Sequence, residues 1–171
     1  MDLKKYIRNI PDFPQKGILF RDITPLLADG EAFKFAVKEL ANHFKDKGIQ
    51  KVAGVEARGF IIGAPVAAEL GVGFVPIRKP GKLPFETVRK EYQLEYGMSI
   101  LEVHKDAVKK GEKILMIDDL LATGGTAKAA SELIESLGGE IAGWGFVIVL
   151  KSLKGEEKLK NYEVFSLIDF D

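Results

Sequence analysis

Apolar and polar positions follow two rhythms along this chain, and their order predicts its architecture. From Glu31 to Lys47 the apolar residues Phe33, Ala36, Val37, Leu40, Ala41 and Phe44 recur every three or four positions. That is the spacing of one helical face, and Gly48 stands as its C-terminal stop. Val52–Val55 reads as a buried strand, Arg58–Leu70 as a helix ending at Gly71, and Gly73–Arg78 as the next strand. Ile114–Ile117 is an unbroken apolar run expected to be buried on both faces of a sheet. Thr126–Leu137 then reads as a helix, Gly138-Gly139 as a turn, Ile141–Leu150 as another buried strand and Val164–Ile168 as a last one. Strands alternating with helices predict parallel βαβ units, with functional loops gathered at the C-terminal ends of the strands.

Other segments depart from this rhythm. Asp2–Arg8 predicts a short N-terminal helix, broken by the two prolines and the glycine of Ile10–Gly17, and Ile18-Leu19-Phe20 predicts a short strand or sheet edge. Pro84–Gly97 is polar but carries the β-type residues Phe85, Thr87, Val88, Tyr92, Leu94 and Tyr96, the pattern of an exposed hairpin. Long polar excursions of this kind are typical of active-site lids. Ile100–Val103 predicts the strand leaving it, and Lys151–Lys160 a charged amphipathic segment. With no internal repeat, low-complexity tract or linker, 171 residues predict one domain.

Composition narrows the partners. Twenty-five basic side chains balance 25 acidic ones, so there is no net field to draw in nucleic acid or an anionic membrane, and any phosphate binding must be local. The absence of cysteine excludes disulfides, thiolate nucleophiles and cysteine-ligated metals. Met1–Gly17 has no apolar leader core, and no apolar run approaches the roughly 20 residues of a membrane span. The expectation is a cytoplasmic protein.

The chemistry concentrates between Lys113 and Thr126. Asp118 and Asp119 stand where the apolar strand is expected to leave the sheet. Ala122, Thr123, Gly124, Gly125 and Thr126 then combine small side chains, two hydroxyls and backbone N–H groups at the start of a helix, where orphan donors and the dipole favour an anion. Gly124 and Gly125 read alike, as positions where backbone must come close to phosphate. Arg58 follows a second strand and Arg78, Lys79 and Lys82 a third, so three strand ends can converge on one polyanion carrying a cation. The chain lacks the Gly-Lys-Ser/Thr ending of a P-loop, and Gly71-Val72-Gly73 lacks the third glycine of a dinucleotide fingerprint.

The run Ile-Leu-Met-Ile-Asp-Asp-Leu-Leu-Ala-Thr-Gly-Gly-Thr from Ile114 resembles the phosphoribosyl pyrophosphate (PRPP) motif of type I phosphoribosyltransferases, in the version of the branch that acts on adenine. Phe13-Pro14, Phe20–Pro25, Arg58-Gly59-Phe60, Ile77–Pro84 and Leu94-Glu95-Tyr96-Gly97 match that branch in the same order, over most of the chain. The resemblance implies an α/β fold with a mainly parallel central sheet flanked by helices, a small N-terminal hood (about 10–28) and a flexible hairpin lid (about 84–97). It implies a purine salvage transferase that moves the phosphoribosyl group of PRPP to adenine, giving AMP and pyrophosphate. Carried over by position, Ala122, Thr123, Gly124, Gly125 and Thr126 hold the phosphate of PRPP or AMP, while Asp118 and Asp119 take the ribose hydroxyls and act in catalysis. Arg58, Arg78, Lys79 and Lys82 meet pyrophosphate. Leu19, Phe20, Arg21 and Leu150 meet adenine, although Leu150 reads equally well as an ordinary strand-end leucine. Glu95 and Tyr96 approach the reaction centre from the lid. Mg²⁺ is expected through the substrate rather than a protein cage, and the resemblance implies a homodimer. The rival readings are transfer to another base, such as orotate or hypoxanthine, and a PRPP-binding regulator of transcription. The regulator needs a DNA-binding module and a basic face, and the chain shows neither.

Overall fold

The computed structural model describes residues 1–94 and 97–171. Its strands are Arg8–Pro11 (β1), Leu19–Asp22 (β2), Lys51–Val55 (β3), Gly73–Ile77 (β4), Thr87–Leu94 (β5), Gly97–His104 (β6), Lys113–Leu121 (β7), Glu140–Leu150 (β8) and Val164–Phe170 (β9). Its α-helices are Thr24–Ala28 (α1), Gly30–Phe44 (α2), Arg58–Leu70 (α3) and Gly125–Ser136 (α4). A five-stranded parallel sheet in the order β4-β3-β7-β8-β9 lies between helices.

The apolar run Ile114–Ile117 is central because both of its faces have a layer to pack against. Leu115 and Ile117 pack with Leu40 and Phe44 of α2 and Ile62 and Val66 of α3. Ile114 and Met116 pack on the other side with Trp144, Phe146 and the α4 residues Ala130, Leu133 and Ile134. All four β7 side chains are fully buried, each contributing about 1.5–3 kcal/mol, so this strand anchors the sheet. The one polar group of Trp144 is satisfied in place: its indole N–H donates to Ser131 Oγ at 2.9 Å, and Ser131 donates to the Ala127 carbonyl at 2.8 Å.

Four local features differ from the sequence expectations. Only Leu3–Tyr6 forms a helical turn, of the 3-10 type, and the predicted helix to Arg8 gives way to β1. β1 pairs antiparallel with β2 from Arg8↔Asp22 to Pro11↔Leu19. Arg8, Asn9 and Pro11 are exposed, so this strand has no apolar face to betray it and exists through its partner. The five-residue α1, too short for a periodicity to show, starts where Asp22 accepts from the Thr24 N–H at 2.9 Å and its hydroxyl at 2.8 Å. β5 and β6 form one long antiparallel hairpin, from Thr87↔His104 to Leu94↔Gly97, so Ile100–Val103 belongs to its return arm rather than to a separate strand leaving it.

The acid pair also stands differently. β7 continues past Asp118 and Asp119 to Leu121, paired with β8 through Leu120↔Ile148 and Leu121↔Val149. Its pairing with β3 ends at Gly54↔Ile117. The carboxylates therefore lie within the strand, past the end of its pairing with β3, where the first turn of α3 comes in.

Candidate active site

α3 opens directly above the acid pair, and Gly59 makes that approach possible. A Cβ on Gly59 would stand 2.9 Å from Asp118 Oδ1 and 3.3 Å from the Ile117 carbonyl oxygen, closer than a side chain tolerates. Arg58, half exposed, donates through Nε to Asp119, which is buried. The Asp119 N–H donates to Asp118 Oδ1 at 2.9 Å. Burial, followed by the adjacent Asp119 charge, pushes the Asp118 carboxyl well above the ordinary carboxylate range. Two adjacent carboxylates, the second of them held by Arg58, thus face a cleft of about 220 Å³ lined by Arg58 and the continuous run 118–127.

The far wall of the cleft is the loop into α4, and its two glycines do different work. Gly124 has φ +89°, and a Cβ there would meet the Gly155 carbonyl oxygen at 2.6 Å, so this glycine packs the loop against the neighbouring turn. Gly125 opens outward, its nearest neighbour being the Gln93 carbonyl oxygen at 3.8 Å. The first intrahelical bond runs from Lys128 N–H to the Gly124 carbonyl at 2.9 Å, leaving the first-turn amides of α4 without intrahelical acceptors. Thr123 and Thr126 add hydroxyls to the same lining. The hairpin reaches this wall: Tyr92 Oη and Thr126 Oγ1 are 3.3 Å apart, and Lys90 pairs with Glu132 of α4 at 2.7 Å.

The other sequence-predicted residues that the structure describes are not in the lining of this cleft. Arg78 turns to Glu56, with Nε 3.1 Å from Oε1, and its guanidinium lies 5.7 Å from the Phe60 ring centroid. The Lys79 N–H donates to the same Glu56 oxygen at 2.8 Å, and the side chains of Lys79 and Lys82 are exposed. In the β1–β2 hairpin, Leu19 is exposed and Phe20 meets Phe13 edge to face at 5.1 Å. The Arg58 guanidinium lies 5.7 Å from the Phe20 ring, which ties that hairpin to the cleft. Arg21 points elsewhere, 4.0 Å over the Phe170 ring and 2.6 Å from Asn9 Oδ1. Leu150, half-buried at the end of β8, pairs with Phe170 and packs on the core. Glu95 and Tyr96 lie outside the described residues.

Residue pattern alone passes over Gly59, Glu56 and Glu102, which shape the site from behind. Glu102 carried no legible signal, since a charge between the apolar Leu101 and Val103 is the alternation of a half-exposed strand, and its burial comes from the Gly81 loop and β5 donors that close over it. Such a charge is retained inside a protein only where donors satisfy it. Chemically, the cleft offers an anion cradle at a helix N-terminus, an oxygen-only acid pair for hydroxyls or a cation, and an arginine at their junction. A phosphorylated sugar matches all three.

The chain is similar to known proteins over its whole length. The family model of the phosphoribosyl transferase domain matches residues 26–171. The adenine phosphoribosyltransferase of Halothermothrix orenii is 59% identical over 168 residues, covering 98% of this chain and 99% of that protein. Among solved structures, the adenine phosphoribosyltransferase from Thermoanaerobacter pseudethanolicus superposes with a TM-score of 0.96 at 53% identity, covering 99% of this chain and 98% of the other. The enzyme from Giardia lamblia, complexed with 9-deazaadenine, does so with a TM-score of 0.94 at 41% identity, covering 99% and 97%.

Proposed function

The chain belongs to the adenine phosphoribosyltransferases of the phosphoribosyltransferase family, and from that premise we propose that the Arg58–Thr126 cleft is where it joins phosphoribose to adenine. The reaction transfers the phosphoribosyl group of PRPP to adenine, giving AMP and pyrophosphate. The observation that carries the assignment of the site is the acid pair, with Arg58 on Asp119, set beside the open amides of α4.

In this reading Ala122–Thr126 receive the sugar phosphate, with backbone N–H groups and the hydroxyls of Thr123 and Thr126 as donors. Asp118 and Asp119 accept from the ribose hydroxyls. As the bond to pyrophosphate breaks, the sugar becomes oxocarbenium-like, by analogy with glycoside chemistry. Burial and the neighbouring Asp119 charge both disfavour the ionised Asp118 carboxyl, and positive charge developing on the sugar beside it offsets both. Attraction therefore grows toward the transition state, where it accelerates the reaction rather than merely tightening binding.

Arg58, Lys79 and Lys82 neutralise the departing pyrophosphate, with Arg78 beside them in its Glu56 contact. Mg²⁺ suits an oxygen-only pair, since it takes one or two carboxylates together with substrate phosphates; carried in with PRPP beside Asp118 and Asp119, it would supply charge neutralisation on the leaving group. Adenine lies under the N-terminal hood, on Leu19, Phe20 and Arg21, with Leu150 on its far side. Hood backbone groups read the exocyclic amine beside an unprotonated ring nitrogen, a pattern that 6-oxo purines reverse. Glu95 and Tyr96 act from the lid, whose closure excludes water from the activated sugar. In the same reading the protein works as a cytoplasmic homodimer in purine salvage, without nucleic-acid or membrane partners.

A transfer assay across adenine, guanine, hypoxanthine and orotate, with Mg²⁺ and with excess chelator, tests the whole reading. AMP formed from adenine, and only with free Mg²⁺, is expected. Full activity in chelator refutes the metal's part, and preference for another base refutes the hood assignment.

A further inference from the structure

Glu102 lies on β6 with only 5% of its surface exposed, and its carboxylate is divided between two segments. Oε1 accepts from the Gly81 N–H at 3.0 Å, while Oε2 accepts from Thr87 Oγ1 at 3.2 Å and Arg89 Nη2 at 2.9 Å. Its backbone grips the same loop again: Arg78 N–H donates to the Glu102 carbonyl at 2.9 Å, and Glu102 N–H to the Arg78 carbonyl at 2.7 Å. One residue thus holds the basic loop at Arg78 and at Gly81 and ties it to the base of β5. Gly81 has φ +79°, a left-handed conformation that side chains resist, so the loop is shaped to aim that N–H at the carboxylate. With Lys79 N–H held by Glu56, three backbone points are fixed, and Lys79 and Lys82 project from a frame that does not have to be ordered when ligand arrives.

We propose that Glu102 is a positioning residue for pyrophosphate, clamping the Arg78–Lys82 loop to the base of the hairpin so that its lysines are preorganised. This rests on the reading above in which that loop meets pyrophosphate. The arrangement stands through the neutral range, because the hydrogen bond from Arg89, ahead of those from Gly81 and Thr87, holds the Glu102 carboxyl below its ordinary value. Binding by a preformed group avoids the cost of ordering it.

The test is calorimetric titration of pyrophosphate and, separately, of AMP into Glu102→Gln. The amide cannot accept at both ends and turns a donor toward Arg89 or Gly81. The expected result is roughly tenfold weaker pyrophosphate binding, the cost of ordering one or two lysine side chains on binding, with AMP affinity within about twofold of wild type. Glu112→Gln is the matched control, because Glu112 is also largely buried and accepts from Lys109 N–H at 2.6 Å and Lys51 Nζ at 3.1 Å, on β7's approach to the sheet rather than at its acid pair. That variant is expected to lose stability without changing the ratio of the two affinities. If Glu102→Gln does not fold, Glu102→Asp keeps the charge but is one methylene too short to hold both segments, and the same split is expected. Unchanged pyrophosphate affinity, an equal loss for AMP, or the same split in Glu112→Gln overturns the proposal. Lys79→Ala/Lys82→Ala separates the layers: if it leaves pyrophosphate affinity intact, the loop assignment itself falls, whereas if it weakens binding and Glu102→Gln does not, only the positioning role falls.

Discussion

Replacing Gly124 and Gly125 one at a time by alanine should separate packing from binding within a single loop. At Gly124 the new Cβ meets the Gly155 carbonyl oxygen at 2.6 Å with φ at +89°. A left-handed L-residue costs about 1–2 kcal/mol, and overpacking against backbone adds about 1–3 kcal/mol. A total of about 2–5 kcal/mol corresponds, for a chain of this size, to a melting point lower by roughly 4–20 °C. At Gly125 the Cβ has 3.8 Å of room, and alanine is the better helix former by up to about 1 kcal/mol, so stability should hold or rise. The methyl instead crowds the approach to the first-turn amides. Losing one charge-assisted hydrogen bond, about 1.5–3 kcal/mol, weakens ribose 5-phosphate binding roughly 10- to 100-fold. Thermal melts and calorimetry with ribose 5-phosphate read both effects. A Gly124→Ala protein melting within about 2 °C of wild type refutes the packing argument, and wild-type affinity in Gly125→Ala removes the phosphate from this loop.

Asp118→Asn should melt higher than wild type at pH 7 without ligand, yet turn over about 10²–10³-fold more slowly. The folded Asp118 value is raised, so above the unfolded value of about 4 its ionisation opposes folding, and the gain should vanish as pH falls below about 4; a lower melting point at pH 7 would contradict this. Asp22, Glu102 and Glu112 have the opposite sign, held below their ordinary values chiefly by hydrogen bonds from Thr24 N–H, Arg89 and Lys109 N–H respectively. Their stabilisation is complete above about pH 4–5 and drains away as pH falls through the lowered folded values, which urea melts between pH 3 and 6 would show as a falling midpoint. Arg58→Met should cost about 1–3 kcal/mol of stability, because the arginine itself is half exposed and screened but its loss leaves the buried Asp119 carboxylate without that donor. Pyrophosphate affinity should nevertheless drop about tenfold, and an unchanged value would take Arg58 out of the site.

The elements legible in the chain were those whose residues repeat at short range. The Phe33–Phe44 stripe needs nothing beyond its own spacing to become one buried face, and α2 follows it closely. Ile114–Ile117, the acid pair and the small residues after them specify a strand, a turn and a helix start within 13 residues. The same span carries the chemistry of the cradle, because an anion site at a helix N-terminus is a local property of backbone and small side chains. What stayed hidden depends on partners distant in the chain. β1 has no apolar face and takes its form from β2. Arg58 reaches Asp119 across 61 residues, Arg78 turns to Glu56, and Glu102 gathers donors from two different segments. Adjacent glycines that read alike diverged because Gly155, 31 residues on, blocks one Cβ direction and leaves the other open. Local sequence determines which backbone conformations are favourable; the direction a side chain takes within them is decided by what the rest of the fold packs against it, and that contact exists only once the sheet has closed around β7.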